Sequence, residues 1–229
     1  MAYDIPSWSI EVAQALMAKV KAKDPDTFDH CVRVSRLSKL LAQAAGLNEF
    51  DIRIVEYAGL FHDIGKVGVP DEILLKPAKL TTEEYEVMKS HPELSVELLR
   101  PLSHLEFYAK TLPGVQYHHE RFDGRGYPAG IKGEAIPLAS RIILVVDTDD
   151  AMTWSRPYRK GLSPEVAYKE LVDFAGRQFD PKIVEIFNQA HPGWRVRDEK
   201  LFQEINNGIL AGLRPSPVVH SKDRSTDVA

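Results

Sequence analysis

The sequence has almost no cysteine: Cys31 is the single cysteine in 229 residues. One thiol cannot form an internal disulfide, and it excludes zinc sites built from several thiolates. The chain also lacks any run near the ~20 apolar residues that a membrane span needs. Its N-terminus lacks the basic start and apolar run of a signal peptide. From these absences we expect a protein of the cytoplasm, in a reducing environment, with no membrane as partner.

A surplus of positive charge is missing as well. The formal net charge is −4 and the isoelectric point is about 6.1. This balance argues against a nucleic-acid duplex as partner, although a small phosphodiester can still bind in a locally positive cleft. The 44% hydrophobic content and the length suit one domain with a proper core.

Alternating strand patterns are scarce, and capped amphipathic segments take their place. They predict an all-α fold of roughly eight to ten helices around one core. The first predicted helices cover Ser9–Lys21 and Thr27–Ala45, and a third is capped by Asn48 and runs into His62. The segment from Ile136 to Ala151 has the β-branched residues of a strand. Because no second strand of similar quality could pair with it, we interpret it as a buried helix.

Later segments carry clear helix starts. Thr81 and Glu84 form a predicted capping box, Pro92 kinks a helix or begins one, and Leu102–Leu112 forms a short helix leading into Gly114. Further helices are predicted to start at Ser163-Pro164 and at Asp180-Pro181, with a last one over residues 197–212.

Two motifs concentrate histidine and aspartate. The first, LFHDIGKVGVP, contains His62-Asp63, and the second is HHERFDGRGYP from His118 to Pro128. An adjacent histidine and aspartate at the end of a buried helix are costly to bury unpaired, and a metal ion relieves that cost. The alternative at this point is a helix-end salt bridge between Asp63 and Lys66. In the second motif, two glycines let the backbone adopt positive φ in a tight loop.

From about Asp26 to Phe187 the chain resembles the HD-GYP family of metal-dependent cyclic di-GMP phosphodiesterases. The two motifs carry the resemblance, and the segment GRQFDPKIVEIF adds to it. The resemblance implies one HD-type all-α domain with a site for two or three metal ions in the helix core. The expected boundaries are a packing helix of the same domain at 1–25, the HD-GYP phosphohydrolase domain at 26–213, and a disordered tail at 214–229.

The resemblance also implies a set of metal ligands, with Asp63 bridging two ions. The implied ligands are His30, His62, Asp63, His91, His118, His119 and Asp147, with Asp26 as an addition. Imidazole and carboxylate ligands without thiolate suit iron, manganese or zinc. The expected cofactors are two divalent metal ions, iron or manganese. Three alternatives stay open: His30 as a surface or hydrogen-bonded histidine, His91 as a helix cap, and Asp26 as the cap of the second helix.

Catalytic and substrate-binding roles follow from the same resemblance. Asp63 and Lys66 are the expected catalytic residues, and Lys66 neutralises charge on the phosphate. The expected substrate contacts are Tyr127, Arg156, Arg159 and Lys66. A solvated basic turn is the alternative for the two arginines. Glu120 is expected to orient a histidine. His104 is expected to be an ordinary residue, since the family has no ligand there, and His191, placed in a turn, is expected to be structural. Asp149 stands where the family usually has an aromatic residue.

The implied function is hydrolysis of cyclic di-GMP to pGpG, or onward to GMP, by attack of a metal-bridging hydroxide. The alternative is a catalytically weak module that binds a cyclic dinucleotide or partner proteins as a sensor. Other HD-type phosphohydrolases are a weaker third interpretation, since they lack the GYP loop. Cyclic di-GMP is the expected partner, together with a regulatory protein or a second copy of the chain.

Overall fold

The computed structural model describes residues 5–154 and 160–195. These residues form helices and loops without a β-strand, apart from one isolated bridge between Ala175 and Phe179. The prediction of an all-α fold is therefore confirmed. The helices are α1 Ser7–Lys23, α2 Pro25–Ala44, α3 Glu49–Phe61, α4 Asp71–Leu74, α5 Thr82–Met88, α6 His91–Leu99, α7 Glu106–Gln116, α8 Leu138–Thr153, α9 Pro164–Asp173 and α10 Pro181–Arg195.

Helix α8 lies at the centre of the core. It packs against α2, α3, α7, α9 and α10. The residues from Ile142 to Val146 are all buried, which explains why this segment is apolar on every face. The interpretation of this β-branched run as a buried helix is confirmed.

The helix starts follow local capping chemistry. The side chain of Asn48 accepts a hydrogen bond from the backbone N–H of Asp51 at 3.0 Å, as predicted. The capping box of Thr81 and Glu84 is also present. The alternative of Asp26 as the cap of α2 is wrong, because Asp24 holds that position and its carboxylate accepts the N–H of Asp26.

Two segments differ from the predictions. Helix α7 does not stop before Gly114 but continues to Gln116, with Pro113 inside it. Gly114 belongs there because a Cβ at this position would lie 2.7 Å from the Cβ of Ala58 and 2.9 Å from that of Ala139. The segment of His191 is not a turn either, because α10 extends past it and buries its ring against Phe187.

Some predictions fall outside the described residues. These are the helix at 197–212, the tail at 214–229, and the side chains of Arg156 and Arg159. Within the described part of the chain, no helix combines the length and the apolar character that a membrane crossing requires.

The packing brings distant segments to one point. Near that point lie the second turn of α2, the C-terminal end of α3, the first residue of α6, the loop after α7 and the third turn of α8. The first and last residues brought together in this way, His30 and Asp147, are 117 positions apart in the sequence. Only the tertiary fold can therefore assemble the polar site described below.

Candidate metal centre and substrate cleft

The imidazoles and carboxylates expected from the sequence converge in the core. His30 projects from α2, His62 and Asp63 end α3, and Asp147 projects from α8. His91 begins α6, and His118 and His119 follow α7. All are buried or nearly so. The fold thus brings together seven of the eight predicted ligands.

Three of these histidines are fixed in the same way. The Nδ1 of His62 lies 2.7 Å from the carbonyl oxygen of Gly59. The Nδ1 of His91 lies 2.8 Å from that of Met88, and the Nδ1 of His118 lies 2.6 Å from that of Val115. A carbonyl only accepts, so each Nδ1 carries the proton and donates it. The Nε2 of each ring is then an unprotonated donor of a lone pair, which is the form that binds metals.

These lone pairs face one another. The Nε2 of His91 lies 3.2 Å from the Nε2 of His118 and 3.2 Å from the Nε2 of His119. Burial, and then the neighbouring histidine charges, hold the pKa of His118 well below its usual range and lower the pKa of His119 to about 3. Neither His118 nor His119 therefore takes up a second proton readily to relieve this crowding of ring nitrogens. A cation between the rings relieves it, so the residues present fit a metal ion.

Six of the seven residues form two groups, each compact enough for one ion, and Asp147 lies beside the second group at 3.0 Å from His30 Nε2. Within each group all the ligand atoms lie within 4.8 Å of one another. One group is His91, His118 and His119, and the other is His30, His62 and Asp63. The carboxylate of Asp63 lies between the groups, with Oδ1 at 3.1 Å from His91 Nε2 and Oδ2 at 3.4 Å from His62 Nε2. This placement suits a carboxylate that bridges two ions.

The salt bridge considered as an alternative for Asp63 is also present. Lys66 Nζ lies 2.5 Å from Asp63 Oδ2. Burial alone would raise the pKa of Asp63, but the charge of Lys66 and the neighbouring histidines hold it well below its usual range. The ion pair and metal ligation are compatible, because a bidentate carboxylate has lone pairs for both.

The surroundings of His30 include two residues that sequence reasoning missed. His30 Nε2 lies 3.0 Å from Asp147 Oδ1, while His30 Nδ1 lies 2.7 Å from Asp150 Oδ2. Arg33 donates to both oxygens of Asp150 at 2.6 and 2.8 Å. Burial lowers the pKa of His30, but the hydrogen bonds to both aspartates outweigh this and raise that pKa to about 9. Asp150 and Arg33 thereby fix the direction of the His30 ring. The helical spacing of Asp147 and Asp150 is the signal that could have shown this.

The GYP loop, residues 118–128, is held by Glu120. Its Oε1 accepts the N–H of Ala129 at 2.6 Å and the N–H of Gly130 at 2.9 Å. The prediction that Glu120 orients a histidine is therefore not met, since its described contacts are with the loop backbone. Gly124 has the expected positive φ of 78°. Gly126 does not; it is required because a Cβ there would lie 2.3 Å from the N of Arg121.

The loop places Tyr127 next to the candidate metal ligands. The ring of Tyr127 stacks on His119, with the ring centroids 4.7 Å apart and the planes at 28°. Burial, followed by the charges of Tyr85 and Asp63, raises the pKa of the Tyr127 hydroxyl, so it stays protonated. Tyr127 is thus a neutral aromatic wall next to the ligands.

A cleft of about 720 Å³ opens onto this centre. His30, His91 and His119 line it. Its basic side chains outnumber its carboxylates: the lining contains Arg33, Lys66, Lys76, Arg121 and Arg125 against Asp24, Asp26 and Asp29. The volume lies in the range of small-molecule sites, which is about 300–1,000 Å³. The cleft therefore has the size and local charge for a small anionic ligand.

Asp26 is the predicted ligand that the fold leaves apart. It is exposed in the first turn of α2 and belongs to neither ligand group, although it lines the cleft together with His30. His104 is exposed, its ring stacks on Trp8, and it belongs neither to the cleft lining nor to a ligand group.

Comparison with known proteins gives consistent matches. The family model for the HD domain matches residues 13–183. The cyclic di-GMP phosphodiesterase response regulator RpfG of Xanthomonas campestris pv. campestris is 41% identical over 175 residues, which cover 76% of this chain and 46% of that protein. A cyclic di-GMP phosphodiesterase of Thermotoga maritima is 38% identical over 179 residues, covering 77% of this chain and 48% of that protein.

A solved structure agrees with the fold. A cyclic GMP-AMP specific phosphodiesterase of V. cholerae superposes with a TM-score of 0.56 at 20% identity, covering 91% of this chain and 54% of that chain. The chain spans about half the length of the curated relatives it matches. The similarity therefore concerns the helical domain that carries the histidines.

Proposed function

The chain belongs to the HD domain family, and from this membership we propose that it is a metal-dependent phosphodiesterase that hydrolyses cyclic di-GMP to linear pGpG. Two relatives above 35% identity carry the name cyclic di-GMP phosphodiesterase. The observation that carries the proposal is the 3.2 Å approach of the Nε2 atoms of His91 and His118, whose Nδ1 atoms are already hydrogen-bonded to backbone carbonyls. Such a centre is arranged to hold cations and not to form an apolar core.

The proposed cofactors are two divalent metal ions, iron or manganese. Histidine and carboxylate donors without thiolate favour these ions. The division of the ligands into two compact groups on either side of Asp63 supports a count of two. When bound, two neighbouring ions activate water near neutral pH and stabilise displacement at phosphorus.

Asp63 and Lys66 are the proposed catalytic residues. Asp63 fixes the spacing of the two ligand groups, because one of its oxygens faces each group. Burial of Lys66 lowers the pKa of its amine, but the carboxylate of Asp63 outweighs this effect and raises it. The amine of Lys66 therefore stays protonated. A protonated amine that lines the cleft stabilises the extra negative charge that develops on the phosphate when a nucleophile attacks it.

Substrate binding is proposed for Tyr127, Arg156 and Arg159, with Lys66. The Tyr127 ring borders the cleft and is held against His119, which suits contact with a base or a ribose. Arg156 and Arg159 lie outside the described residues, so their proposed contact with phosphate rests on the motif RPYRK and on the preference of guanidinium groups for phosphate.

The proposed compartment is the cytoplasm, where the single buried thiol of Cys31 stays reduced.

The test is an assay of the purified protein loaded with iron or manganese. Metal content is measured first, and turnover of cyclic di-GMP and of cyclic GMP-AMP is then followed by chromatography. We expect release of pGpG from cyclic di-GMP. Tight binding of cyclic di-GMP without turnover of either compound, at full metal content, would favour the sensor and contradict the proposed activity.

A further inference from the structure

Trp154 stands at the edge of the cleft, at the point where α8 ends. Its backbone N–H donates to the carbonyl oxygen of Asp150 at 3.0 Å, which fixes the residue to the last turn of the helix. The side chain keeps 46% of its surface exposed. The same cleft is lined by His30, Lys66 and Tyr127. A large indole therefore faces the space in which the proposed substrate binds.

The indole lies over a fixed cation. The guanidinium carbon of Arg33 is 4.0 Å from the centre of the Trp154 ring. Arg33 is buried, and its Nε and Nη2 are engaged with Asp150. Since the edge of the guanidinium is held by a bidentate ion pair, its flat face is the part presented to the indole. A cation beneath one face restricts the tilt of the ring and attracts its π electrons.

The same contacts connect the indole to the metal centre. Trp154 rests on Arg33, Arg33 holds Asp150, and Asp150 holds the ring of His30. The indole is thus three direct contacts from a ligand of the proposed ions. Trp154 and His30 therefore line the same cleft and are joined through two buried residues.

We infer that Trp154 is a stacking platform for one purine base of the nucleotide substrate. The inference rests on the proposed function, because it assigns a base-binding residue to that cleft. Aromatic side chains stack on any nucleobase, with losses on the order of 10- to 100-fold in affinity when they are removed. A platform of this kind contributes to substrate binding and does not hold metal.

The experiment compares Trp154→Ala with Trp8→Ala. Trp8 is a matched control, since its exposure is 45% but it lies on α1, stacks on His104 and does not line the cleft. Both variants are loaded with metal, and KM and kcat are measured with cyclic di-GMP.

For Trp154→Ala we expect KM for cyclic di-GMP to rise on the order of 10-fold or more, with metal content and kcat unchanged, because a stacking contact away from the reacting phosphate stabilises the ground state and the transition state alike. Trp8→Ala should match the wild type. Trp154→Phe should restore most of the affinity, whereas Trp154→Leu should not, because only the former has a π face. An unchanged KM in Trp154→Ala, or equal values for the Phe and Leu variants, would overturn the inference.

Failure of the proposed function is distinguishable from failure of this inference. If the wild type turns over no cyclic dinucleotide, the proposed function is wrong, and binding of cyclic di-GMP is measured by equilibrium dialysis instead. Weaker binding by Trp154→Ala than by Trp8→Ala supports the platform. Equal dissociation constants, or absence of binding to the wild type, would overturn it.

Discussion

The Nε2 atoms of His91 and His118 lie 3.2 Å apart, and each ring already donates its Nδ1 proton to a backbone carbonyl. Two lone pairs at this distance repel unless a proton or a cation lies between them. Because burial and the neighbouring histidines keep the pKa of His118 low, a proton is not held there at neutral pH. The arrangement is therefore the feature that best supports the proposed metal dependence.

The metal-free protein should be most stable near the ordinary histidine pKa of 6.5. Burial, and then the charge of His91, lower the pKa of His119 to about 3, so stability is lost as pH falls from 6.5 toward that value. Burial opposes the charge of His30, but Asp147 and Asp150 raise its pKa to about 9, so its stabilisation is present below 6.5 and lost as pH rises toward 9. Thermal unfolding of chelator-treated protein across this range measures the effect. A melting temperature that rises steadily from pH 6.5 to 9 would contradict it.

Tyr127→Ala and Arg156→Ala should weaken substrate binding without loss of metal. Removal of a stacked aromatic group costs about 1–3 kcal/mol, so KM for cyclic di-GMP should rise roughly 10-fold or more. Tyr127→Phe keeps the ring that stacks on His119 and should remain close to the wild type. Steady-state kinetics and metal analysis are performed on the same preparations. Metal loss in either alanine variant would refute this division of roles.

Glu120→Ala should destabilise the GYP loop. It removes the carboxylate that accepts the N–H groups of Ala129 and Gly130, and a hydrogen bond of this kind contributes about 0.5–1.5 kcal/mol where water can replace the acceptor. We expect a melting temperature several degrees lower and a higher KM, since Tyr127 loses its support. Glu120→Gln keeps an acceptor oxygen and should lose less. Equal melting temperatures for wild type and Glu120→Ala would show that the loop is held by other contacts.

A third metal site should be weak or empty. Asp26 lies four residues before His30, is exposed, and has a side chain one methylene shorter than glutamate. Metal–oxygen distances tolerate little error, about 0.2 Å. We therefore expect Asp26→Ala to leave the first cleavage nearly unchanged, Asp26→Glu to strengthen the site, and the reaction to stop mainly at pGpG. Three ions per chain at full occupancy, with Asp26 coordinating one, would disprove this.

Much of the fold and of the metal centre could be predicted from the sequence. Helix starts depend on a few local residues, so the capping roles of Asn48 and of the pair Thr81–Glu84 can be predicted from the sequence. The buried helix α8 followed from an apolar run that had no partner strand. His62, Asp63, His118 and His119 lie in motifs specific enough to predict their meeting place. The family resemblance to HD-GYP proteins is confirmed by the HD domain match and by the relatives.

Other features depend on contacts that only the tertiary structure creates. Arg33 and Asp150 are 117 residues apart, and nothing local predicts their ion pair. Gly126 is required by the approach of the Arg121 backbone and not by its own φ, so the loop sequence alone suggested the wrong reason. Helix α7 continues through Pro113 and Gly114. Glycine is required at position 114 by the close packing of two alanines from neighbouring segments, and the local sequence does not show this.

The central claim is that Asp63 joins two metal ions that catalyse the cleavage of cyclic di-GMP. The most direct measurement is the metal content of purified Asp63→Ala, by mass spectrometry, together with its turnover of cyclic di-GMP. The control is Asp29→Ala, which removes a cleft-lining carboxylate that belongs to neither ligand group. We predict that Asp63→Ala loses metal and activity together, while Asp29→Ala retains both. An Asp63→Ala protein that keeps its metal ions and hydrolyses cyclic di-GMP at the wild-type rate would contradict the account.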